Sequence, residues 1–101
     1  MPALLDLDYV MAKLRQEMDV LRERFDVDQL SVFGSVSRGE SHPDSDLDVL
    51  VKFKTPMDFD RYMDLKFHLE RLLSVRVDLV SDDAVRKEIR PFVDREAIRV
   101  S

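Results

Sequence analysis

Residues 46–53, Asp-Leu-Asp-Val-Leu-Val-Lys-Phe, constrain the fold more than any other stretch. They alternate with period two, the repeat of a strand rather than a helix. Leu47, Val49, Val51 and Phe53 share one face; Asp46, Asp48, Leu50 and Lys52 share the other. The first face demands a core. The second carries two carboxylates side by side, which repel each other unless cations sit between them.

The flanking sequence supplies the partners. From Asp8 to Phe25, Val10, Leu14, Met18, Leu21 and Phe25 recur on one helical stripe, and Asp6 or Asp8 can cap it. Gln29–Phe33 reads as a short strand entering Gly34. Thr55 as N-cap, Pro56 at N1 and Asp58 at N3 predict a helix running to about Leu73, with Tyr62, Leu65, Leu69 and Leu72 on its apolar stripe. Val75–Val80 alternates again, as a third strand. Ser81 then caps a further helix with Asp82–Asp83 in its first turn and Arg86–Lys87 in the next, interrupted by Pro91. Ala97–Val100 is a candidate edge strand. The 56–73 helix is long enough for a parallel crossover, whereas 34–45 is too short for one. The expected architecture is therefore α+β in two layers: a small mixed sheet, first two strands antiparallel, with helices packed on one face.

A chain of 101 residues suits a single domain over 1–101. Its 37 % charged and 45 % hydrophobic residues are a globular balance. The net charge of −5 argues against an extended nucleic-acid grip. Cysteine is absent, which excludes disulfides, thiolate metal sites and thiol nucleophiles. No apolar run approaches the roughly 20 residues of a membrane span. The opening MPALLDLDYV lacks a basic n-region, so a cytoplasmic location is expected.

Only two glycines occur, Gly34 and Gly39, both within GSVSRGESHPDSDLDVLV, residues 34–51. Glycine lets the backbone turn with positive φ or approach a ligand closely. The spacing imitates a P-loop, but Glu40 stands where the phosphate-binding lysine must be. Asp44, Asp46 and Asp48 imitate an EF-hand, but its glycine position is Val49 and its bidentate glutamate position is Thr55. A third reading fits better. Asp46 and Asp48 share a strand face, and Asp78 stands between Val77 and Leu79 on the next strand, so the three can converge as oxygen ligands for Mg²⁺. Gly34 and Ser35 then offer N–H groups and a hydroxyl to phosphates.

Gly34-Ser35, Arg38-Gly39, Ser45-Asp46-Leu47-Asp48 and the distant Asp78 resemble the DNA polymerase β-type nucleotidyltransferases, most closely the minimal nucleotidyltransferases with the pattern GSxxRGxxxxxSDxDxxV. Six fixed positions at roughly 6 % background each make a chance match on the order of 10⁻⁵ over the chain. Ser37, where many members have alanine, departs from the pattern without touching chemistry. The resemblance covers nearly the whole chain and implies a nucleotidyltransferase palm. It also implies a reaction: an acceptor hydroxyl attacks the α-phosphorus of ATP, and pyrophosphate leaves between two Mg²⁺ ions. Asp46 and Asp48 would hold both ions, and Asp78 would complete the site that activates the hydroxyl. Gly34 and Ser35 would hold the β and γ phosphates.

Arg38 either touches phosphate or orients a site carboxylate. Ser45 is a candidate nucleotide contact or a local turn residue. His42 reads as solvated beside Pro43, and His68, on the 56–73 helix, as a surface or boundary residue rather than a catalyst. Phe59, Tyr62 and Met63 could line a base pocket. Minimal relatives pair with helical HEPN-domain toxins and transfer AMP to a toxin tyrosine as antitoxins, so a HEPN partner is expected, with homo-oligomers open. The rival readings are neutralisation by binding alone and transfer to a small-molecule hydroxyl such as an aminoglycoside.

Overall fold

The computed structural model describes residues 6–34, 46–56 and 58–100. Helix α1 spans Leu7–Phe25, strand β1 Val27–Phe33, β2 Leu47–Phe53, helix α2 Phe59–Leu73, β3 Val77–Ser81, helix α3 Arg90–Glu96 and β4 Ile98–Arg99. A 3₁₀ turn, Asp82–Ala84, follows β3. The strands order β3-β2-β1-β4 among the described residues. β1 runs antiparallel to β2 and to β4, while β2 and β3 are parallel, with α2 as the crossover. This is the expected mixed sheet and α+β class.

The Asp6 carboxylate accepts from the Asp8 N–H at 2.9 Å and so caps α1 as anticipated. Asp26 closes the helix in the left-handed region at φ 59°, donating its N–H to the Leu21 carbonyl. The buried stripe Val10, Leu14, Met18, Leu21 and Phe25 joins Leu65, Leu69 and Leu73 of α2 over the inward residues Leu30, Val32, Leu47, Val49, Val51, Val77 and Leu79. Leu14, Leu21, Leu65 and Leu69 have no exposed surface. Truncating any one to alanine costs about 2–5 kcal/mol.

Five local expectations are corrected. β1 begins at Val27 rather than Gln29, because an irregularity between Val27 and Gln29 breaks the alternation that marks a strand. The cap of α2 is Asp58, whose carboxylate accepts from the Asp60 N–H at 3.0 Å. Thr55 is engaged elsewhere: its hydroxyl bonds to the Asp26 carboxylate, and Arg61 donates to it at 2.9 Å. Strand β3 starts at Val77, two residues after Val75. Ser81 makes no side-chain cap bond, and the predicted helix is only the 3₁₀ turn. The Arg90 guanidinium takes the Asp82 carboxylate at 2.7 Å and its carbonyl at 3.2 Å, turning an expected helix-dipole pattern into a tertiary clamp. Pro91 lies in the first turn of α3, starting that helix rather than interrupting one.

Candidate active site

The site is assembled where β1 ends and β2 and β3 begin. Strand alternation turns Asp48 and Asp78 away from the main core, since Leu47, Val49, Val77 and Leu79 are buried in it. The parallel register pairs Leu47 with Val77 and Asp48 with Asp78. Neighbouring strands lie about 4.8 Å apart, so two carboxylates face each other on the open side of the sheet. The antiparallel register brings Phe33, the last residue of β1, opposite Asp48.

Gly34 follows at φ +78°. A Cβ built there would collide with the Asp48 Oδ2 and lie 3.0 Å from its Cγ. The missing side chain is thus a seat for the Asp48 carboxylate, and the positive φ independently favours glycine.

Asp46 precedes β2 on the same face as Asp48. Its carboxylate pairs with Arg76 Nε at 3.2 Å, the two side chains being 49 % and 75 % exposed. Among the described residues no three His, Cys, Asp or Glu side chains stand close enough together to hold a metal ion. Asp48 and Asp78 are brought together, and Asp46 is drawn toward Arg76. Ser35, Arg38, Gly39, His42 and Ser45 lie outside the described residues.

The donor chemistry fits a hard divalent cation. Carboxylate oxygens are the ligands Mg²⁺ prefers, and it is commonly held by one or two of them together with substrate phosphates. Two facing aspartates beside a glycine cradle match that requirement.

The sequence reading missed Arg76 and Glu70. β3 is an edge strand, and the Leu47 N–H bonds to the Arg76 carbonyl at 2.9 Å. Alternation then turns the main-chain groups of Val77, Leu79 and Ser81 outward. Glu70 of α2 accepts from the Val77 N–H at 2.9 Å, and the Tyr62 hydroxyl donates to the Leu79 carbonyl. The Val77 hydrogen bond, with help from Lys66 and Arg76, holds the Glu70 carboxyl below its ordinary pKa against a smaller opposing effect of burial. Two side chains of one helix therefore block strand addition at this edge and fix the residues on both sides of Asp78. The spacing of Tyr62 and Glu70 along the helix stripe was the available signal.

His68 is a boundary residue, as expected. Its ring stands 3.3 Å from Glu17 and packs on Phe25 with centroids 5.0 Å apart. Phe59 and Tyr62 line a groove of about 320 Å³ with Leu79, Val80, Ser81 and Ala84; Met63 is not among the lining residues.

The nucleotidyltransferase domain, as a sequence family, matches residues 13–99. The protein adenylyltransferase MntA of Thermococcus cleftensis is 40 % identical over 98 residues, covering 97 % of this chain and 99 % of that protein. A solved structure described as a minimal nucleotidyltransferase superposes with a TM-score of 0.79 at 42 % identity, covering 93 % of this chain and 95 % of its own. A solved complex of a tri-AMPylated HEPN toxin with its MNT antitoxin, from Shewanella oneidensis, has a TM-score of 0.65 at 18 % identity. It covers 90 % of this chain and 71 % of its own, and shares the fold. No described helix is long and apolar enough to cross a membrane.

Proposed function

This chain belongs to the nucleotidyltransferase domain family, and we propose that it transfers AMP from ATP to a hydroxyl, a tyrosine by our reading, of a HEPN-domain toxin, acting as an antitoxin in the cytoplasm. The observation that carries the reading is the facing pair Asp48 and Asp78 beside Gly34. Two carboxylates held opposite each other next to a side-chain-free backbone turn suit a triphosphate bound through cations.

In this reading Asp46, Asp48 and Asp78 would hold Mg²⁺. The ions, when bound, neutralise the phosphates and stabilise the attacking and leaving oxygens. Gly34 and Ser35 would hold the β and γ phosphates, with Arg38 and Ser45 as further nucleotide contacts in this reading. Asp78 lies on the strand nearer the sheet edge and receives the acceptor. The acceptor oxygen forms a bond to the α-phosphorus, the bond from that phosphorus to the bridging oxygen breaks, and pyrophosphate departs. Asp78 takes the hydroxyl proton. The 40 % identity to a protein adenylyltransferase over nearly all of both chains supports a protein acceptor.

The test is incubation of a substoichiometric amount of the chain with excess HEPN partner, ATP labelled at the α-phosphate, and Mg²⁺. A mass gain of one or more AMP units on the partner, lost in Asp48→Asn and Asp78→Asn, is expected. Neutralisation that needs stoichiometric protein, proceeds without ATP and survives Asp78→Asn would instead establish binding alone.

A further inference from the structure

We propose that the groove between α2 and the outer half of β3 is the docking site for the acceptor protein, and that it takes an apolar side chain from a segment rich in lysine and arginine. The inference rests on the reading above that the acceptor is a protein.

Phe59, Tyr62, Leu79, Val80, Ser81 and Ala84 line the groove, and Phe59 is 70 % exposed at its lip. A large aromatic ring at the mouth of an apolar groove is the usual anchor of a protein interface. Tyr62 and Glu70 occupy outward main-chain groups of Leu79 and Val77, so the site suits an inserted side chain rather than an added strand.

Charge identifies the occupant. Of the residues next in sequence to the lining positions, Asp58, Asp60, Asp78, Asp82 and Asp83 are acidic, and Arg61 alone is basic. Arg61 is turned to Thr55 and Asp26, away from the groove lining. Among the described residues Asp82 pairs with Arg90 and Asp58 caps α2, while Asp60 and Asp83 make no ion pair. Asp48 stands opposite Asp78 toward the catalytic end, whereas Asp46 is paired with Arg76. A basic partner is steered to such a surface, and a second copy of this chain, itself at −5, is repelled.

Position supplies the purpose. Leu79 directly follows Asp78, and Ser81 is about 10 Å from Asp78 along the strand. A partner anchored there reaches the open face, where Asp78 and Asp48 stand, by passing round the β3 edge.

The experiment is titration calorimetry of the HEPN partner into the full chain and into Asp60→Lys, Phe59→Ser and, as a control on a separate exposed ring, Phe92→Ser. Melting shifts with a non-hydrolysable ATP analogue and Mg²⁺ are recorded for each. Asp60→Lys and Phe59→Ser should each weaken partner binding at least tenfold, leave the ATP-analogue shift intact and, for Asp60→Lys, flatten the salt dependence. Phe92→Ser should bind as wild type. Unchanged affinity in both groove variants overturns the inference, as does an equal loss in the control. Loss of the ATP-analogue shift would make the groove a base pocket, and self-association abolished by Phe59→Ser would make its occupant a second copy; either overturns it. If wild type binds but transfers no AMP, the catalytic reading fails while these affinities still judge the docking site.

Discussion

Asp48 and Asp78 occupy directly opposed positions on parallel neighbouring strands, their carboxylates on the open side of the sheet. Without cations this is a like-charge contact that the unfolded chain, with 29 residues between them, does not have. Asp78→Asn should therefore leave the metal-free protein as stable as wild type or up to about 1 kcal/mol more stable, while abolishing transfer. Thermal melts in chelator read this. A marked loss of stability would mean that Asp78 is a structural acceptor.

Gly34→Ala should be far more damaging than an exposed turn substitution. The new methyl group must occupy the space of the Asp48 carboxylate, at a φ that L-residues rarely adopt. A stability loss of about 1–3 kcal/mol is expected, with transfer lost even where the protein remains folded. Denaturant melts and AMP transfer measure the two effects separately.

Glu70 makes stability depend on pH in a definite direction. Its carboxyl pKa is lowered in the fold from the ordinary value of 4.5. Its contribution is present in full above that value and is lost as pH falls through the lowered folded pKa. Glu70→Gln should thus melt below wild type at pH 7, and the gap should close as the pH falls below 4.5 and on through the lowered folded pKa. A constant gap across this range would remove the charged hydrogen bond to Val77 from the account.

Arg76 should behave differently. Its pair with Asp46 is well exposed on both sides, and such pairs contribute about 0–1 kcal/mol. Arg76→Ala should shift a denaturant midpoint little in 0.5 M salt, and less than Glu70→Ala does.

Ser74 ends α2 at φ 56°, in the left-handed region that costs a side-chain-bearing residue about 1 kcal/mol. It is exposed and stands outside the core, so Ser74→Gly should be neutral or stabilise by up to about 1 kcal/mol. Chemical denaturation of the pair of proteins decides it.

Residues 46–53 by themselves determined a half-buried strand with two aspartates on its open face, because side-chain alternation is a local property of extended backbone. The stripes of α1 and α2, the cap at Asp6, the antiparallel start and the parallel crossover were legible for the same reason: each follows from spacing or linker length. The pairing of Asp48 with Asp78 was not. It depends on strand register, and a shift by one residue would have turned Asp78 into the core. Only the tertiary structure decided that Thr55 bonds to Asp26 instead of capping α2, that Asp82 is clamped by Arg90 instead of beginning a helix, and that Glu70 and Tyr62 close the β3 edge. In each case a polar group had two ways to satisfy itself, one local and one distant. The packed helices and sheet hold the distant partner within hydrogen-bond reach, and Glu70 keeps its local bond to Lys66 besides.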